Sequence, residues 1–291
     1  MRPGSRRGVL LARLAVPCLL LFTLGARAQE GLTWREVDPH NLVFMELAEG
    51  EVVIELNPVF APKTVARFRE LVKQGFYRAL SFYRVIDGFV AQAGDESDIN
   101  ENSSWPGLPA EFERQFDDEL HWTSVQKGDL FAPETGFIDG FAAAREGKSV
   151  WLTHCPGVIA MARGEAPDSG STDFYIVIGQ APRYLDRNLT IFGRVIDGMD
   201  AVQKVRRGRV EDNGVIENDL ARSRIRSVKL GSDLGAGEGA FYYVVDTNSE
   251  GFRKQLETRR NRDQKFFVHR PPKVLDVCQV PVASRREKNS Q

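Results

Sequence analysis

Short apolar runs separated by turn residues dominate the chain, and helical periods are few. Asn41 to Leu47 and Glu51 to Leu56 are apolar-rich and flank Ala48-Glu49-Gly50, which predicts a β-hairpin with a glycine-containing turn. From Pro62 the period changes: Val65, Phe68, Leu71 and Val72 recur at helical spacing. Pro62 suits the first helical position and Gly75 the C-terminal cap. Phe82 to Ala93 reads as strand, turn, strand, with Asp87-Gly88 at the turn. Gly157 to Ala162, Phe174 to Ile178 and Ile191 to Ile196 have the character of buried strands. Met199 to Val205 reads as a short helix capped by Asp197, and Arg224 to Leu230 as a closing strand. The pattern predicts a mainly β protein, a closed antiparallel eight-stranded barrel capped by two helices. Helices do not alternate with strands, which disfavours a doubly wound α/β sheet.

Two segments stand outside this pattern. Glu96 to His154 is weakly periodic and reads as a long insertion (96–154) in a barrel domain of residues 29–230, with a short helix near Pro109 to Phe116. Its Trp105 and Trp122 read better as local core under a long loop than as exposed docking aromatics. Residues 231–291 form an extension expected to pack on the barrel. It holds strand-like runs at Phe241 to Val245, Phe266 to His269 and Val274 to Val282, and a helical run over Gly251 to Arg262. Arg285 to Gln291 reads as a disordered polar tail.

The start of the chain has a different character. Arg2, Arg6 and Arg7 precede a mostly apolar stretch, Val9 to Leu24, and Ala26-Arg27-Ala28 matches a signal cleavage site. Residues 1–28 are therefore expected to be a signal peptide, with the mature chain starting at Gln29 and exported to a periplasm or secreted. A membrane anchor fits less well, because the apolar stretch is short and contains Arg13. Ser5 to Leu10 also resembles a twin-arginine signal, a pattern shared by ordinary leaders. Loss of the leader leaves 34 basic residues against 40 acidic ones, a net charge of −6. The mature chain has no block of Lys and Arg, which argues against a nucleic-acid partner. Cys18 leaves with the leader. Cys155 and Cys278 either close a disulfide between the extension and the body or stay as two separate buried thiols.

Most chemistries find no support. The four histidines (His40, His121, His154 and His269) lack metal-ligand spacing, and they read as surface or core residues. Asp168-Ser169-Gly170-Ser171 is a loop and no nucleophile elbow, and phosphate-binding glycine loops are absent. No cofactor or metal is expected. What remains is Arg84 and Gln92 among the aromatic and aliphatic residues of Phe82-Tyr83-Arg84-Val85-Ile86-Asp87-Gly88-Phe89-Val90-Ala91-Gln92. Strict alternation would place Arg84 on one face with Phe82 and Ile86, where a guanidinium needs partners or an edge from which to reach water.

This run resembles the cyclophilin signature, in which an aromatic pair precedes an arginine and G-F-x-x-Q-x-G-D follows. Gly157 to Ala162 resembles the family's G-x-x-x-M-A strand, and Thr172-Asp173-Phe174-Tyr175-Ile176 its S-Q-F-F-I strand. Leu185-Asp186 with Ile191-Phe192-Gly193-Arg194-Val195 resembles its L-D…V-F-G-x-V ending, and Gly198-Met199 the start of its last helix. The resemblance spans roughly Asn41 to Leu230 outside the insertion. It implies a peptidyl-prolyl cis/trans isomerase that assists folding of exported proteins and acts on proline-containing polypeptides. Arg84 and Gln92 would be catalytic. Phe89, Val90, Met161, Tyr175 and Leu185 would line a proline slot, with Ala162, the Arg163 backbone and Tyr184 along the peptide groove. Several positions depart from the family pattern. Tyr175 stands for a phenylalanine, Tyr184 for a tryptophan, Leu189 for a histidine and Val90 for a methionine. Asp173 stands for a glutamine and would pair with Arg84 or compete with substrate for it. The alternative is a non-catalytic module that binds proline peptides or chaperones through the same groove. The mature chain is expected to be a monomer with no membrane contact.

Overall fold

Val43, Met45 and Leu47 share the face of the first hairpin that turns into the barrel, while the neighbouring Leu42 and Phe44 pack on the outer side with Tyr242 and Val244. The computed structural model describes residues 31–96, 104–235 and 240–288; the signal-peptide reading of residues 1–28 lies outside the described residues. After β1 (Trp34–Glu36), strands β2 (Leu42–Leu47) and β3 (Glu51–Leu56) pair antiparallel, with Met45 opposite Val52 and Val43 opposite Ile54. Helix α1 (Pro62–Lys73) follows, with Pro62 in its first turn. Its Val65, Phe68 and Leu71 are fully buried. Gly75 ends it at φ +70°, and the amides of Gly75 and Phe76 donate back to the carbonyls of Val72 and Leu71. That left-handed turn suits a residue without a β-carbon. Strands β4 (Ser81–Ile86) and β5 (Val90–Gly94) make the second hairpin.

The insertion folds as a sheet of its own. Strands β6 (Arg114–Gln115), β7 (Trp122–Lys127), β8 (Glu134–Ile138), β9 (Phe141–Glu146) and β10 (Ser149–Leu152) assemble in the order β6-β10-β9-β8-β7. The helix expected near Pro109 to Phe116 is absent. That stretch runs extended because its polar groups bond to the barrel: the Glu111 amide donates to Thr190 Oγ1. The Glu111 carboxylate accepts from the Lys63 and Thr64 amides, both at 2.9 Å. An insertion carboxylate thus caps α1 in place of the residue before the helix, Ala61, which has no side-chain acceptor. Trp105 and Trp122 are local packing residues: Trp105 lies edge-on to Phe76, and Trp122 to Phe116 with Arg145 over its ring.

The remaining barrel strands are β11 (Val158–Met161), β12 (Phe174–Val177) and β13 (Ile191–Asp197), followed by helix α2 (Met199–Val202) and strand β14 (Ser223–Leu230). The N-cap of α2 is Gly198; Asp197 accepts the Gly198 amide at 2.8 Å. The barrel closes as β11-β12-β5-β4-β14-β2-β3-β13, with β13 back against β11. Its interior holds Val43, Met45, Ile54, Phe82, Val85, Phe174, Ile176 and Phe192, together with the buried faces of α1 and α2. The eight-stranded barrel with two capping helices matches the expectation from the sequence; among the described residues a third α-helix lies in the extension.

The extension adds β15 (Ala240–Val245), α3 (Glu250–Asn261) and β16 (Ser284–Lys288). Strand β15 pairs with β1 on one side and β16 on the other, so residues 285–288 of the expected disordered tail belong to a strand. Phe266 to His269 and Val274 to Val282 are not strands. Phe266 and Val268 are exposed, and the second run carries a 3-10 turn, Val277–Gln279. Insertion, extension and outer barrel face share one core, with Phe137, Val150, Tyr175, Val177, Phe252, Leu256 and Val277 buried together. Two links reinforce that layer. Cys155 and Cys278 form a disulfide, so of the two thiol readings the crosslinked one is correct. The buried Glu55 carboxylate accepts from Arg35 at 2.5 Å and from Arg194 at 2.8 Å, and both guanidiniums also reach the insertion's turn at Asp139 and Gly140.

Candidate active site

A β-bulge sets the direction of Arg84. Along the hairpin, Phe82 faces Ala93 and Arg84 faces Gln92, so Tyr83 is the extra residue. Phe82 and Val85 both lie in the barrel core, and Arg84 points the other way, beside Gln92. The strict alternation that put Arg84 with Phe82 therefore fails at the bulge. The Arg84 Nη1 donates to Gln92 Oε1 at 3.0 Å, and its Nε donates to the Asn213 carbonyl at 3.1 Å. Behind it, Gln92 Nε2 donates to the Tyr83 hydroxyl at 2.6 Å, which donates to Asp173 Oδ2 at 2.8 Å. Asp173 Oδ1 accepts the Asp95 amide at 2.9 Å. Gly94 is required for this approach, since a β-carbon there would lie 1.9 Å from Asp173 Oδ1.

In front of Arg84 lies a groove of about 220 Å³ lined by Arg84, Phe89, Val90, Gln92, Ala162, Arg163, Tyr175, Leu185 and Leu189. Its walls are mostly apolar, and Arg84 and Gln92 stand along one side. An apolar slot with a guanidinium and an amide paired along one side suits a small apolar ring attached to a polar backbone. Among the described residues no cluster of His, Cys, Asp and Glu is arranged to hold a metal.

Residues 42–229 match the family model described as cyclophilin type peptidyl-prolyl cis-trans isomerase/CLD. This chain belongs to the cyclophilins. A probable peptidyl-prolyl cis-trans isomerase of Brucella suis is 30% identical over 217 residues, covering 70% of this chain and 89% of the relative. The peptidyl-prolyl cis-trans isomerase-like 1 of Mus musculus is 32% identical over 181 residues, covering 62% and 85%. The crystal structure of cyclophilin AquaCyp293 from Hirschia baltica matches with a TM-score of 0.72 and 29% identity, covering 89% of this chain and 95% of that one. The chain is accordingly an isomerase of peptidyl-prolyl bonds on a cyclophilin barrel.

Placement of the expected site residues in this cyclophilin follows from strand alternation. Tyr175 and Ala162 face outward into the groove, while Met161, next to Ala162, turns into the barrel interior and does not line it. Tyr184 is 66% exposed and also lies outside the lining. Leu189 forms part of the wall. The Arg163 side chain is occupied with the Asn188, Gly164 and Glu165 carbonyls and covers the Phe112 ring. Asp173 is buried, and the expected pairing with Arg84 is replaced by a path through Tyr83 and Gln92.

The site also contains residues that sequence reasoning passed over. Asn213, in a left-handed turn at φ +51°, brings its carbonyl to Arg84. At the groove floor the Tyr175 hydroxyl meets His154 Nε2 at 2.8 Å, and His154 Nδ1 lies 3.0 Å from Asp186 Oδ1. Burial, then the Asp186 carboxylate, hold the Tyr175 phenol protonated well above its ordinary range. A left-handed asparagine was a readable signal for the Asn213 turn. Nothing local marked His154.

Proposed function

We propose that this cyclophilin accelerates rotation about X–Pro bonds without covalent chemistry, with Arg84 stabilising the twisted amide. Amide resonance sets a barrier of about 18–20 kcal/mol. Twisting removes that resonance and leaves the proline nitrogen pyramidal, with a localised lone pair. A guanidinium donor near that nitrogen interacts with the twisted form more strongly than with either planar form, which is the condition for lowering the barrier. Phe89, Val90, Tyr175 and Leu185 would hold the proline ring, and Gln92 would orient Arg84 and the substrate backbone. The observation that carries this reading is the position of Arg84 at the rim of the apolar groove, fixed by Gln92 and the Asn213 carbonyl.

The substrates we propose are proline-containing polypeptides, among them exported proteins during folding. Two features support export: the leader-like residues 1–28, and a disulfide, which persists in oxidising compartments. The test is a coupled isomerisation assay on a proline tetrapeptide. Acceleration that is lost with Arg84→Ala supports the mechanism. Tight binding of the tetrapeptide without acceleration would leave a docking module instead.

A further inference from the structure

The floor of the groove is connected to the insertion by a continuous buried chain of polar contacts. Asp129, in the turn between β7 and β8, accepts from Arg183 Nη2 at 3.1 Å. Arg183 Nε donates to Asp186 Oδ2 at 2.5 Å. Asp186 Oδ1 accepts from the His154 backbone amide at 2.8 Å and faces its Nδ1 at 3.0 Å. His154 Nε2 then meets the Tyr175 hydroxyl at 2.8 Å. The His154 side chain has no exposure, and those of Arg183, Asp186 and Asp129 are 4%, 7% and 11% exposed. The next residue, Cys155, is bonded to Cys278 of the extension. His154, the last residue of the insertion, therefore lies beside the crosslink to the extension.

The donor pattern is fixed at one end. A carboxylate only accepts, so the His154 Nδ1 hydrogen faces Asp186, and in the neutral ring the Tyr175 O–H donates to Nε2. That bond turns the phenol oxygen away from the slot and presents the ring to whatever lies in it. We propose that His154 is a positioning residue for the isomerase reaction: it holds the Tyr175 ring as the slot floor, and the insertion acts on the site through Asp129, Arg183 and Asp186. This inference rests on the reading of the groove as the proline slot. A floor that contacts the proline ring in planar and twisted forms alike acts on binding, so its loss raises KM and leaves kcat nearly unchanged.

The test is a double-mutant cycle on the full mature chain, with kcat and KM measured for cis/trans exchange of a proline tetrapeptide. His154→Phe and Tyr175→Phe are each expected to raise KM about fivefold with kcat within about twofold, and the double variant to be no worse than either single one. Should His154→Phe fail to fold, Asp129→Ala at the far end gives the same readout: KM rises about twofold in the wild-type background and not in Tyr175→Phe. Effects that multiply between the two positions, or an unchanged KM in either single variant, would overturn the inference. Arg84→Ala separates the two levels. If that variant stays active, the groove reading fails and this inference with it; if it is inactive while the cycle shows no coupling, this inference alone fails.

Discussion

The Gln92 side-chain amide donates to the Tyr83 hydroxyl at 2.6 Å, and this contact joins Arg84 to a buried carboxylate two residues further back. The bulge that turns Arg84 outward also turns Tyr83 toward Asp173. The aspartate thus acts as an anchor for the Gln92 amide and leaves the guanidinium face toward the groove clear of its charge.

Tyr83→Phe breaks that chain at one atom. Gln92 and Asp173 each lose one hydrogen bond, so a stability loss of about 0.5–1.5 kcal/mol is expected. With Gln92 less constrained, kcat/KM should fall about fivefold, and less than for Arg84→Ala. Urea unfolding and the tetrapeptide assay on the same preparations check both. Unchanged values would mean the hydroxyl does not order Gln92.

The Cys155–Cys278 disulfide closes a loop with a sequence separation of 123. A crosslink of that span constrains the unfolded chain by about 4–5 kcal/mol in the loop-entropy account. Cys278→Ser should lower the melting temperature by several degrees or more and make the protein insensitive to added reductant. Equal melting temperatures for oxidised and reduced wild type would show that the bond contributes no stability.

Acid should weaken the insertion sheet through Glu134. Burial pushes the Glu134 carboxyl up, but hydrogen bonds from Ser124, Arg145 and Trp122 outweigh it and hold the pKa below the usual 4.5. The folded state therefore binds its proton less readily than the unfolded state. The resulting stability is present above about pH 4.5 and is lost as pH falls through the lower, folded value. Glu134→Gln should flatten the fall in melting temperature between about pH 5 and pH 3 relative to wild type. Parallel curves would remove Glu134 from the acid response.

Much of the barrel was legible because local pattern and tertiary position agree there. The Arg84–Gln92 pair lies across one tight hairpin, with Asp87-Gly88 marking the turn. The bulge was hidden, since Tyr83 and Arg84 fit strict alternation as residue types and only the pairing with β5 reveals the extra residue. The insertion strands were illegible for another reason. In β8 every residue from Glu134 to Ile138 is buried, so the strand carries no alternation between wet and dry faces. His154 is the core residue that its sequence allowed, but its place beneath the groove was hidden because its partners, Tyr175 and Asp186, lie 21 and 32 residues away and meet it only after the barrel closes.

The direct test of the account is the rate of cis/trans exchange of a proline tetrapeptide catalysed by wild type and by Arg84→Ala, with circular dichroism confirming that both are folded. Loss of one preorganised donor at the twisted amide predicts a drop in kcat/KM of about 100-fold or more, with KM little changed. A folded Arg84→Ala protein within about threefold of wild type would contradict it.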